Sequence, residues 1–369
     1  MVSFEMDDEQ KMVQETVASF AVDQMEPLMR DSDEDGSVPE GVVKKGWELG
    51  LLGGCIPEEY EGFGEGLSAL TGTIALEEMA WGDLSMSLHM MAPSVLAYSV
   101  LDQGTEEQKK ELLPAYCEEE YVPSSSALIE PYYNFCPSAL KTTAERDGED
   151  YVLNGKKCLV SLAAEADKLL VLAATTPGTG FAGVDAFIVP AGTKGMEVGE
   201  REKNMGIKAL ATYPVTFKDC RLPSESRLGG HEGSDFMRLL SRSRLALAAM
   251  AVGMSRHALE HSIDYARERE AFGEPIGSRQ AIAFMIAEMG IEIDGTRLLT
   301  WEAAWKCDKD MDFEKEAALA KGYAVDMAMM VCDRGVQIMG GHGYIRENPV
   351  ELWFRNARGF ATFEGMAMV

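Results

Sequence analysis

The chain has 369 residues, 46% of them apolar and 26% charged, with a formal net charge of −27 at pH 7. It is long enough to bury a large core in two or three structural units. Its excess of carboxylates opposes phosphate backbones and anionic bilayers, so nucleic acid and membrane insertion are excluded as modes of action. The seven cysteines are odd in number and form no CxxC pair, which reads as reduced thiols rather than a disulfide framework or zinc ribbon. The start, "MVSFEMDDEQKMV", lacks the basic and apolar stretches of a signal peptide, and no apolar run would span a bilayer; a cytoplasmic protein is expected.

Residues 1–121 predict a helical domain. "DEQKMVQETVASFAVDQM" repeats apolar residues every three or four positions, and "TEEQKKELLPAY" opens with a Thr–Glu capping sequence. The joints "GLLGGCIPEEYEGFGEG" and "WGDLS" interrupt the helices. Residues 122–230 predict a small β-domain: "KLLVLAATT", "VDAFIVPA" and "YPVTFKDCRL" are short and rich in β formers, and "DYVLNGKKCLVSL" places an Asn-Gly turn between extended runs. Residues 231–369 predict long helices with short links, a helical bundle. The fold class is α+β, mainly α.

Several stretches carry possible chemistry. "HALEH" sets His257 and His261 one helical turn apart beside Glu260, a zinc-site spacing that a solvent-facing helix stripe produces as readily. "QIMGGHGY" joins two helices through paired glycines, which permit close backbone approach to a ligand. In "ARERE AFGEPIGSRQAI" Arg269 falls near a helix end with donors to spare, a clamp for a pyrophosphate. Glu364 is a lone carboxylate in the apolar run "FEGMAMV".

These segments occur in order with "RSRLALAAMAVGMSRHALEHSIDYA", "NPVELWFRNARGFATFEG" and, upstream, "KKGWELGLLGGCIPEEYEGFGEG", "IALEEMAWGDLS", "EDYVLNGKKCLVS" and "EKNMGIKAL". Together they resemble the acyl-CoA dehydrogenase family over nearly the whole chain. The resemblance implies an N-terminal helical domain, a middle β-domain and a C-terminal four-helix bundle, with FAD held between the β-domain, the bundle and a neighbouring subunit of a homotetramer. It implies an acyl-CoA or related acyl thioester as substrate and an electron-transferring flavoprotein as electron acceptor.

Residue by residue, the resemblance puts Arg269, Ala271 and Phe272 at the FAD phosphates, Arg279 and Gln280 at the next contact, and Gln337, Gly340 and Gly341 at the FAD of the adjacent subunit. Leu128, Ile129, Leu159, Val160, Ser161 and Met366 fall around the flavin, and Phe135, Ser241, Arg244, Phe363 and Gly365 around the acyl thioester. Glu364 falls at the position of the catalytic glutamate; its alternative position on the bundle helix holds Ser243, which cannot serve. The implied reaction is α,β-dehydrogenation, with Glu364 taking the α-proton and the β-hydrogen leaving as hydride to flavin N5. The segment Met86–Val95 is expected to line the acyl pocket.

The chain departs from the family in "IEPYYNFCPS", where bulky Tyr132, Tyr133 and Phe135 replace small residues between flavin and CoA, and where Ile129 replaces a hydroxyl donor. Leu159 replaces an aromatic beside the flavin, and Met366 replaces a threonine. Two readings therefore stand: an FAD-dependent acyl-CoA dehydrogenase, or a redox-inactive homologue such as a partner subunit or a lyase acting on acyl thioesters.

Overall fold

A computed structural model describes residues 5–369. Helix α1 (Asp8–Phe20) opens with a capping box between Asp7 and Gln10, and α2 (Met29–Asp35) and α3 (Glu40–Trp47) follow. The Gly/Pro joint then runs as irregular turns to α4 (Ala69–Gly82). Asp83 breaks the helix and caps α5 (Leu84–Met91); burial pushes its carboxyl up to about 7. After α6 (Ser94–Gln103), Thr105 caps α7 (Glu106–Leu112), and its capping box closes on Gln108 rather than on a glutamate.

The middle domain is a seven-stranded sheet: β1 (Ser124–Ala127), β2 (Thr143–Asp147), β3 (Asp150–Ser161), β4 (Lys168–Ala174), β5 (Val184–Pro190), β6 (Met196–Val198) and β7 (Thr212–Leu222). β1 lies parallel to β4, while β2, β3, β7 and β6 form an antiparallel run. The expected Asn-Gly turn is not a turn. Asn154 and Gly155 lie inside the continuous β3, at a register shift against β7, and the hairpin bends instead at Gly148. Gly155 serves close approach: a Cβ there would stand 2.4 Å from the Thr142 hydroxyl.

The last third begins with α8 (Phe236–Glu268), followed by the hairpin β8 (Glu270–Ala271) and β9 (Glu274–Pro275). Helices α9 (Gln280–Asp308), α10 (Glu314–Met339), α11 (Gly341–Tyr344) and α12 (Val350–Gly359) complete the bundle. Helix α4 packs on α8 at backbone distance, since a Cβ on Gly253 would lie 1.9 Å from the Glu77 carbonyl oxygen. Around that crossing Arg256 reaches Glu77 and Glu78, each at 2.9 Å, and Arg297 of α9 reaches Glu77 at 3.0 Å.

"HALEH" belongs to the same crossing. His257 stacks on Trp81 at 4.0 Å and bonds its carbonyl oxygen through Nδ1 at 2.7 Å, while Glu260 accepts the Trp81 indole N–H. These side chains are used in packing, and burial holds the His257 imidazole down to about 4. One large core joins both helical domains to the inner face of the sheet, and a smaller one covers the other face. On the outer side of α9 and α10, Phe284, Ile291, Leu298, Leu319 and Tyr323 are exposed. Among the described residues no single helix is long and apolar enough to cross a membrane.

Candidate active site

Helix α12 ends at Gly359, and Phe363 folds its ring back over that glycine; a Cβ there would sit 2.0 Å from the ring. This turn delivers Glu364 between α8 and α10. Its carboxylate lies 3.4 Å from both Nε and Nη2 of Arg244 and 3.7 Å from Nζ of Lys321, and its side chain is 14% exposed. The flanking residues are apolar and buried, as the sequence suggests, but the charge is not alone. Sequence reasoning missed Lys321, a single lysine on the buried side of α10 whose ammonium also donates to the Phe360 carbonyl at 2.8 Å. Burial lowers the Lys321 ammonium, and the Glu364 carboxylate opposes that shift.

Gly365, at φ +72°, turns the chain onto the end of β1. Its carbonyl accepts the Ser126 hydroxyl, and a Cβ at Gly365 would lie 3.2 Å from the Leu128 side chain. Glu364 is thereby set against the strand end Leu128–Ile129. Beside it β3 ends in a bulge: Leu159 has φ +52°, its N–H donates to Glu202 at 3.0 Å, and Ser161 shares a 2.8 Å hydrogen bond with Ser125. Leu128, Ile129, Val160 and Ser161 are buried and Leu159 is half-buried.

This strand pair is pinned by a buried ion pair. Lys157 Nζ lies 3.1 Å from Glu130 and 3.0 Å from the Leu128 carbonyl oxygen, with side-chain exposures of 0% and 1% for the pair. Glu130 also accepts the N–H groups of Lys141 and Thr142, both at 2.8 Å. Burial alone would raise the Glu130 carboxyl, but Lys157 and the two N–H donors together hold it low. Burial brings the Lys157 ammonium down to about 8, against the pull of Glu130. Glu130 is thus the anchor of the "YYNF" loop. Tyr133 and Asn134 face solvent, Tyr132 lies under the Lys141 ammonium at 3.9 Å, and half-buried Phe135 packs on the main core.

The residues that the resemblance assigns to the FAD phosphates form a second group. Arg269 caps α8 and is exposed, Phe272 is 98% exposed at the β8–β9 bend, and Arg279 pairs with Glu274 at 2.8 Å. Gln337, Gly340 and Gly341 are exposed at the α10–α11 corner, which is tied to α8 by a 2.7 Å bond between Tyr265 and His342. Arg244 lies in the first third of α8 and Arg269 caps its far end, about 38 Å away at about 1.5 Å per residue. Ser241 is fully buried, with no hydrogen-bond partner for its hydroxyl among the described residues.

A largely buried carboxylate flanked by two cations and set against the end of β1 fits acid–base work beside a planar cofactor. The descriptions of the acyl-CoA dehydrogenase N-terminal, middle and C-terminal domains match residues 7–120, 127–220 and 233–369. The chain belongs to the acyl-CoA dehydrogenase family, whose members are FAD-dependent oxidoreductases. It is 35% identical to the short-chain specific acyl-CoA dehydrogenase of Bos taurus mitochondria, covering all of this chain and 89% of that protein. It overlays butyryl-CoA dehydrogenase from Megasphaera elsdenii with a TM-score of 0.89 at 32% identity, over 99% of this chain and 96% of that one. The FAD complex of PigA overlays with a TM-score of 0.90 at 25% identity, over 99% of this chain and 96% of that one.

Proposed function

We propose that the chain dehydrogenates an acyl thioester across its α,β-bond, with Glu364 as the base. The observation that carries this is the position of Glu364, held by Gly365 against the strand end Leu128–Ile129. A thioester α-proton is a weak acid, so its removal requires a fixed carboxylate shielded from water. One Glu364 oxygen takes the α-proton. The positive charges of Arg244 and Lys321 favour the negative charge that develops on the thioester. Bound FAD supplies the acceptor for the hydride leaving the β-carbon, and the product is the α,β-unsaturated thioester.

Leu128, Ile129, Leu159 and Ser161 are the residues that would hold the flavin ring of their own subunit. Arg269, Phe272, Gln337 and Gly340 lie too far along α8 and α10 to reach that same cofactor, so they serve the flavin of another copy. The exposed apolar stripe of α9 and α10 supplies a surface for that self-association, as a homotetramer. An electron-transferring flavoprotein would then reoxidise the flavin.

Glu364→Gln keeps the shape of the site and removes its basicity. Anaerobic bleaching of the flavin by an acyl thioester should slow by several orders of magnitude, with flavin content unchanged. Bleaching at the parental rate would remove Glu364 from the mechanism. Full flavin content with no bleaching of the parent by any thioester would favour the redox-inactive alternative.

A further inference from the structure

The residues that follow the base turn into the interior. We propose that Met366–Val369 form the wall that sets acyl chain length at this site, restricting it to thioesters of a few acyl carbons; this rests on the reading of Glu364 as the base. Gly365 lies flat on the end of β1, and from there Met366, Ala367, Met368 and Val369 are 3%, 0%, 1% and 2% exposed. The Met368 N–H donates to Ser94 Oγ at 2.9 Å, at the start of α6. Its thioether lies 3.8 Å from Ser99 Oγ, further along the same helix. Val369 packs on Gly72 of α4, where a Cβ would stand 3.1 Å from the valine side chain.

The segment therefore fills the apolar space between α4, α6 and β1 that adjoins Glu364. An acyl group whose α-carbon stands at the Glu364 carboxylate must place its remaining carbons in apolar surroundings continuous with that point. In a close-packed interior, each further methylene on this side meets the Met368 side chain. The large cleft of 1280 Å³ between α3, α5 and the β-domain offers no way around them: Trp47, His89, Met91, Tyr121 and Leu162 line it, and Glu364 does not. Ser94, where Met368 is held, opens α6 three residues after Met91, the last residue of α5. A flexible thioether suits such a wall, because it fills irregular space without a polar group to satisfy.

The test compares the holoenzyme with Met368→Ala and with Met368→Leu, which keeps the volume. Flavin bleaching is read with butyryl-CoA and octanoyl-CoA, and calorimetric binding with unreactive S-butyl-CoA and S-octyl-CoA. Met368→Ala should move the kcat/KM ratio and the Kd ratio toward the eight-carbon ligands by about tenfold or more, the selectivity that one or two methylenes command in an apolar pocket. Met368→Leu should keep the parental ratios. Should Met368→Ala not yield folded protein, Val369→Ala reports the same shift at smaller size from the Gly72 side. Unchanged length ratios in folded variants overturn the proposal. A binding shift with no bleaching by either thioester upholds the wall and sinks the dehydrogenase reading.

Discussion

Replacing Lys157 with methionine keeps the stem of the side chain and deletes its charge. Glu130 is then left as a buried carboxylate with only the Lys141 and Thr142 N–H groups for compensation, and the Leu128 carbonyl loses its donor. With both side chains essentially inaccessible to solvent, removing one partner of such a pair costs about 3–5 kcal/mol. The two surviving N–H bonds place the expected loss near the lower end, at about 3 kcal/mol. Because the lost contact holds the strand end Leu128–Ile129, flavin should also dissociate more readily from Lys157→Met. The assay pairs urea unfolding, followed by far-UV circular dichroism, with flavin release on dilution. Adding Glu130→Gln removes the stranded charge, so the double variant should recover part of the lost stability although it carries one more substitution. A loss below about 1 kcal/mol in the single variant, or a double variant less stable than it, would refute the claim that Glu130 is electrostatically dependent on Lys157.

Two further outcomes are expected. The His257 imidazole titrates near 4 in the fold and near 6.5 when unfolded, so below pH 6.5 the unfolded chain takes up a proton that the native chain refuses. This group's contribution to stability falls as pH drops through that window, by about 2 kcal/mol at pH 5; the melting temperature of His257→Gln, measured at pH 7 and pH 5, should fall less on acidification than the parent's. Arg269→Ala should lose flavin on gel filtration while keeping the parental mass by light scattering, and a variant that retains FAD as tightly as the parent would exclude Arg269 from the phosphate contact.

The helices of the two outer domains and the strands between them were legible in the sequence, because a period of three to four or of two residues reflects which face each element buries. The break at Gly82–Asp83 could be read from its turn residues, and Glu364 from its apolar setting together with the family resemblance. Asn154-Gly155 misled because the dipeptide that favours a tight turn also suits a strand bulge, and the crowding by Thr142 that selects the bulge comes from the segment leading into β2. The resemblance placed Arg244 near the thioester, but its contact with Glu364, and Lys321 altogether, were out of reach for a similar reason. Arg244 and Lys321 stand 120 and 43 positions away on separate helices, and nothing in the local pattern distinguishes them from solvent-facing cations. The same holds for Lys157 and Glu130, whose pairing depends on two chain segments meeting across the sheet. What the sequence determined by itself was therefore the set of elements and their buried faces, since these follow from near-neighbour spacing. Tertiary structure alone decided which charges meet, and that Met366–Val369 turn inward past Glu364, because each depends on surfaces supplied by residues distant in the chain.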